Sequence, residues 1–143
     1  MLPDPFFKVM NLVHNGLLKL SGGRLGWDLM NMPALELTTV GRKSGERRKV
    51  MLTSPVQEGE TLVIVASKGG ESRHPAWFLN LRENPSVEVS FKGRPSVPMS
   101  ARIASADERV RLWPKVVERY KGYADYQTRT DREIPLVLLD PAP

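Results

Sequence analysis

The sequence predicts an α+β domain: a largely antiparallel small β-barrel with flanking helices. Three observations predict it. Short β-branched runs recur, separated by tight turn chemistry such as Glu58-Gly59-Glu60 and Lys92-Gly93-Arg94. Helical patterns lie between and around these runs instead of following each of them. No Gly-x-Gly-x-x-Gly follows a strand, which disfavours a doubly wound dinucleotide-binding sheet.

The chain has 143 residues and reads as one domain over 1–143, long enough to bury a core without disulfides or metal. It has no Cys, which removes disulfides, thiolate metal sites and Cys nucleophiles together. His14 and His74 are its two histidines and lie far apart in sequence, so no metal site is expected. The net charge of +5 points to anionic partners: a phosphorylated cofactor, nucleic acid or an acidic membrane face. No apolar run is long enough to span a membrane, and no signal-peptide pattern opens the chain. A cytoplasmic location is expected.

Asp4 and Pro5 read as the cap and first residue of an amphipathic helix over 1–23. Its stripe is Phe6, Met10, Val13, Leu17 and Leu20, and it stops at Gly22-Gly23. The stripe serves either to pack on the domain or to lie peripherally on the inner face of the cell membrane. A Pro- and Gly-punctuated connection leads to the barrel, expected over 34–143. Strands are expected at Ala34–Val40, Val50–Val56, Thr61–Ala66, Ser86–Phe91, Val97–Ala104 and Ile134–Leu139. His74-Pro75 opens a short helix that stops before Asn84-Pro85. Ser105-x-x-Glu108 is a capping box for a second helix, which Pro114 is expected to kink or split before it resumes from Val117 to Tyr120.

Two strand ends open into glycine-rich cationic loops. Leu35 to Val40 runs into Gly41-Arg42-Lys43-Ser44-Gly45-Glu46-Arg47-Arg48-Lys49-Val50. Leu62 to Val65 runs into Ala66-Ser67-Lys68-Gly69-Gly70. Glycines let backbone N–H groups approach an anion, and Arg and Lys add charge and forked donors. One such loop reads as a solvated hairpin; a pair of them reads equally as a phosphate or carboxylate site. Tyr120, Tyr123 and Tyr126 recur every three residues and share one side of a helical segment. They are either core rings with hydroxyls reaching solvent or a wall over a flat ligand. Trp77 is either core or a second wall. Reactive groups are sparse: there is no Gly-x-Ser-x-Gly, no His near Ser44 or Ser67 that could activate them, and no paired carboxylate. That profile fits an enzyme whose reactive atoms belong to a cofactor, or a binding module.

Together these residues resemble the deazaflavin (coenzyme F-420)-dependent nitroreductase family of split β-barrel oxidoreductases. The matching stretches are Thr39 to Gly45, Val63 to Gly70, Pro75-Ala76-Trp77-Phe78-Leu79-Asn80-Leu81, Asn84-Pro85, and Tyr120 to Arg132 ending Thr130-Asp131-Arg132. The resemblance implies a split, FMN-binding-like barrel that takes a hydride from reduced coenzyme F-420, an 8-hydroxy-5-deazaflavin. The acceptor it implies is a quinone-like or nitro compound. It implies that Arg42, Lys43 and Ser44 grip the phosphate and acidic tail. Arg48, Lys49, Val50, Met51, Leu52 and Thr53 would line the ribityl and ring region. Val65, Ala66, Ser67 and Lys68 would meet the ring and phosphate edge, Ala76, Trp77, Phe78, Leu79 and Asn80 would complete the pocket, and Tyr123 would face the ring. The chain departs from the family pattern at Val50-Met51, where close relatives carry Asn-Pro, and at Thr53, where one carries Tyr; acceptor choice is expected to differ accordingly.

With the hydride supplied by the cofactor, the protein's task is placement and proton delivery. Ser67 and Tyr123 are the catalytic candidates, hydrogen-bonding the acceptor as it gains charge, and Tyr120, Tyr123 and Tyr126 the acceptor wall. The alternatives are an FMN-dependent oxidoreductase on the same barrel, a basic nucleic-acid-binding small barrel, and a membrane-surface adaptor acting through residues 1–22. Monomer and homodimer both remain open.

Overall fold

The computed structural model describes residues 28–29, 32–91 and 94–142. The helix expected over 1–23, and Lys92 and Gly93 of the expected turn, lie outside them. The strands are β1 (Asp28–Leu29), β2 (Met32–Val40), β3 (Arg47–Thr53), β4 (Val56–Glu58), β5 (Thr61–Val65), β6 (Ser86–Ser90), β7 (Val97–Ile103) and β8 (Leu136–Pro141). The helices are α1 (Ala76–Glu83), α2 (Ala106–Arg119) and α3 (Gly122–Thr128), with a 3-10 turn at Lys68–Gly70. Every strand pair is antiparallel.

The sheet runs in the order β1-β2-β6-β7-β8-β5-β4, and β3 pairs with β2 off that path. β3 and β4 therefore belong to opposite ends of the sheet, yet only Ser54 and Pro55 separate them in the chain. Two residues cannot span a flat sheet, so the sheet curls into the half-barrel of the split-barrel fold.

Apolar alternation places the core on both sides of this sheet. Leu62 and Ile64 of β5, with Val137 and Leu139 of β8, turn inward with Leu35, Leu37, Val87, Val89, Phe78 and Leu81. Val63 and Val65 of β5, with Leu136 and Leu138 of β8, turn outward against Leu112 and Val116 of α2, Tyr123 of α3 and Ile134. Strands buried on both faces read as continuous apolar runs, as Leu62 to Val65 and Leu136 to Leu139 do.

Several strand ends differ from the sequence reading by one or two residues, as where β2 starts at Met32 and not at Ala34, and three differences have an identifiable cause. The strand expected at Val50–Val56 starts at Arg47, because the basic residues continue the ladder with β2: Arg47 pairs with Val40, Arg48 with Thr39 and Lys49 with Thr38. It breaks at Ser54-Pro55, where Ser54 turns its hydrogen bonds to other partners. The closing strand starts at Leu136 and not at Ile134. The Ile134 N–H is taken by Gln127 Oε1 at 2.8 Å, and Pro135 has no N–H to give. The helix containing Pro114 runs unbroken from Ala106 to Arg119, behind the expected capping box of Ser105 and Glu108. Pro114 lies on the exposed side, as does Val110, the residue whose carbonyl an N–H at position 114 would have served, so the missing bond falls on the solvated face.

Ser54 is fully buried and locks the corner. Its N–H donates to Pro33 O at 2.8 Å, its hydroxyl donates to Val63 O at 2.8 Å with Val56 O at 2.9 Å, and it accepts from Gln57 Nε2 at 3.1 Å. Ser54→Ala removes the hydroxyl that this corner offers those carbonyls. The expected loss is about 2 kcal/mol of unfolding free energy, read as a lowered urea midpoint at unchanged m-value.

Candidate functional site

The β2–β3 loop is a tight, self-bonded turn. Gly41 N–H donates to Glu46 O at 2.7 Å and Gly45 N–H to Gly41 O at 2.8 Å. Gly45 has φ +73°, the left-handed region that costs glycine nothing. Ser44 Oγ accepts the Glu46 N–H at 3.1 Å. Helix α1 aims the loop. Asn80 is 4% exposed, and its Oδ1 accepts from Arg42 twice, from the backbone N–H at 3.2 Å and from the guanidinium at 3.0 Å. Its Nδ2 donates to Thr39 Oγ1 at 3.2 Å. Asn80 therefore orients Arg42.

The neighbouring cations divide into two sets. Arg47 is paired with Glu88, Arg48 with Glu46 at 3.3 Å and Lys49 with Glu36 at 3.8 Å. Arg42 is held by an uncharged amide, and Lys43 is exposed with no ion-pair partner among the described residues. The charge left for an incoming anion sits on Arg42 and Lys43. On β3, Met51 is buried, and Val50 and Leu52 pack on the inner core.

The second loop leaves β5 at Val65 and Ala66, both buried. Ala66 N–H is bonded to Pro135 O at 3.0 Å. Arg132 clamps this loop: its guanidinium donates to Glu71 O at 2.9 Å, Ser67 O at 2.9 Å and Ala66 O at 3.2 Å, and lies 3.3 Å from His74 Nδ1. Ser67 and Lys68 are half-buried. Gly70 has φ +82°, and a Cβ there would come within 2.6 Å of Tyr126 O. Only glycine lets the loop lie directly on α3.

Tyr120, Tyr123 and Tyr126 form one cluster, with edge-on ring pairs 5.2, 6.4 and 6.1 Å apart. Tyr120 and Tyr126 are partly buried and pack against the outer core. Tyr123 is 7% exposed within the outer core, and its hydroxyl lies 3.3 Å from Thr53 Oγ1, which ties α3 to β3. Burial raises the Tyr123 hydroxyl, and Tyr126 is pushed up to about 12 by burial and then by Tyr120 beside it. These phenols stay protonated at neutral pH and serve as hydrogen-bond donors. In α1, Phe78 is core at 2% exposed, Trp77 and Leu79 are half-buried against the same core, and Ala76 is exposed.

Thus Thr53 and Tyr123 are brought together, as are Arg42 and Asn80, and the Lys68–Gly70 turn with the tyrosine helix. Arg48 and Lys49 instead point to surface carboxylates. Sequence reasoning gave no role to Arg132, Glu71 or His74. Arg132 closes one of the matching stretches, but nothing in its spacing showed carbonyls 61 to 66 positions away. A surface hollow of about 430 Å³ between β4 and α2, lined by Pro55, Val56, Gln57, Lys115, Glu118 and Arg119, contains none of the predicted site residues. Among the described residues no group of three or more His, Cys, Asp or Glu is placed to hold a metal ion.

Comparison with known proteins fits this arrangement. Residues 12–141 match the family model described as F420H(2)-dependent quinone reductase. An F420H(2)-dependent quinone reductase of Mycobacterium tuberculosis is 35% identical over 130 residues, covering 89% of this chain and 87% of the relative. A solved F420-H2 dependent reductase is 41% identical, covers 76% of this chain and 94% of its own, and superposes with a TM-score of 0.67. A solved domain-swapped dimer is 37% identical over 90% of this chain and 96% of its own, with a TM-score of 0.70.

Burial, then the charges of Arg132 and Arg82, hold His74 below its ordinary value of 6.5. The unfolded chain therefore takes up this proton before the folded one does. Stability is full above pH 6.5 and falls as pH drops through 6.5 toward the lower folded-state value. Urea midpoints measured from about pH 7.5 down to about pH 5 should fall less in His74→Asn than in the unaltered protein.

Proposed function

The chain belongs to the F420H(2)-dependent quinone reductase family, and from that premise we propose how this site performs the family's reaction. The protein is an oxidoreductase that passes a hydride from reduced coenzyme F-420 to a quinone. The observation that carries the proposed cofactor placement is the division of the cations: Arg47, Arg48 and Lys49 have carboxylate partners, while Arg42 and Lys43 are exposed and have none among the described residues. A cofactor with a phosphate and an acidic tail needs that unspent charge.

When bound, reduced F-420 supplies the hydride. Arg42, Lys43 and Ser44 would hold its phosphate and acidic tail, with Asn80 keeping Arg42 aimed. Val50 to Thr53 would line its ribityl and ring region, Val65 to Lys68 would meet the ring and the phosphate edge, and Tyr123, its hydroxyl beside Thr53, would face the ring. Ser67 or a tyrosine hydroxyl donates a hydrogen bond to the acceptor oxygen as it gains charge. Nitro compounds fit the same wall as alternative acceptors. A homodimer is the assembly that the domain-swapped neighbour supports.

Purified protein titrated with oxidised F-420, followed by the cofactor's fluorescence, should bind it saturably, with FMN binding far more weakly. Lys43→Ala should weaken binding by about three- to tenfold. Ser67→Ala and Tyr123→Phe should lower turnover with a quinone. Binding of FMN alone would move the enzyme to the flavin class.

Residues 1–22 form the proposed contact with the membrane face, where a lipid-soluble quinone resides. No helix among the described residues is long and apolar enough to cross a membrane. In vesicle flotation the full chain should rise with anionic vesicles and a chain lacking residues 1–22 should not. Equal behaviour of the two would remove this contact.

A further inference from the structure

The loop between β5 and α1 carries a carboxylate that the reaction does not require. Glu71 and Lys68 have side chains only 13% and 16% exposed, with the Lys68 ammonium 3.3 Å from Glu71 Oε2. That oxygen is buried and accepts no hydrogen bond. Lys68 has φ +46°, a left-handed backbone that a lysine adopts at a cost. The chain thus holds a strained residue and an unsatisfied buried acceptor three positions apart, joined by their opposite charges. Native structures rarely keep such an acceptor without a reason. Arg132 secures the frame by donating to the Glu71 carbonyl, and its guanidinium also feels the Glu71 charge.

We propose that Glu71 is a resident counter-ion for Lys68 that competes with the cofactor's phosphate, and that it thereby sets how tightly the cofactor binds. The inference rests on the reading above that Lys68 meets the phosphate edge. Without ligand, Glu71 answers the charge of Lys68. An arriving phosphate contests the same ammonium and is repelled by the carboxylate beside it, in surroundings that screen charge poorly. The arrangement stabilises the ligand-free loop at the expense of affinity. Glu71→Gln keeps the shape and removes the competing charge. It also leaves Lys68 half-buried without its counter-ion, so the ligand-free protein should become less stable. A residue that only positioned Lys68 would give the opposite sign on binding.

The test titrates the unaltered protein, Glu71→Gln, Glu71→Asp and Lys43→Ala with oxidised F-420 and with its dephosphorylated deazaflavin riboside. Thermal midpoints of the ligand-free proteins are recorded alongside. Glu71→Gln should tighten F-420 binding by about tenfold, leave riboside binding unchanged and lower the ligand-free midpoint. Glu71→Asp, which withdraws the carboxylate from Lys68 and is the milder change should Glu71→Gln not fold, should tighten F-420 binding by a smaller factor. Unchanged or weaker F-420 binding in the Glu71 variants, with Lys43→Ala still weakening it, overturns the inference alone. No effect of Lys43→Ala or of either Glu71 variant overturns the site reading and the inference with it.

Discussion

β5 and β8 are buried on both faces, and the arrangement of the site depends on that constraint. A pair of strands with Leu and Val on alternate sides cannot leave either face to water. One face closes over the barrel interior and α1, and the other recruits α2, α3 and Ile134. α3 is thereby drawn across the end of β5, where the chain emerges as Ser67 and Lys68. The meeting of a cationic loop and a tyrosine cluster is thus a consequence of covering the outer face, with Gly70 permitting the close approach. The Ser54 corner completes the geometry by joining the two ends of the sheet.

Charge is distributed as deliberately as apolar surface. A net charge of +5 says little by itself. What matters is which cations are already answered. β3 carries three exposed basic residues that sheet neighbours and the loop neutralise, which keeps this long basic strand in its ladder with β2. Two cations in the turn have no carboxylate partner among the described residues, and one of them is oriented by a buried amide. The second loop spends its charges differently: Arg132 holds backbone carbonyls in place, and Lys68 is countered by Glu71. One basic loop is open to an anion, and the other presents its cation already countered.

Much of this was legible in the sequence, because most of it is local. Strand periodicity, the capping box at Ser105 and the glycine-bounded cationic loops each announce themselves within a few residues. The family resemblance came from the order and spacing of such stretches, and residues 12–141 match the corresponding family model. Illegible were contacts that join distant positions. Thr53 and Tyr123, Arg42 and Asn80, and Arg132 with Ser67 are brought together by curl and packing, which leave no periodic trace. The strand start at Arg47 was missed because a basic run looks like loop, although on a paired strand its charges can be answered across the sheet. Pro114 was over-read because a proline on a solvated helix face costs the helix less than one facing the core.

The most direct test of the account is a crystal structure of the protein with oxidised coenzyme F-420 bound. The account predicts the phosphate and acidic tail on Arg42 and Lys43 with Lys68 at the phosphate edge, and the ring between Val65–Ser67 and Tyr123. A cofactor seated elsewhere, such as the hollow between β4 and α2, with Arg42 and Lys43 still facing solvent, would contradict it.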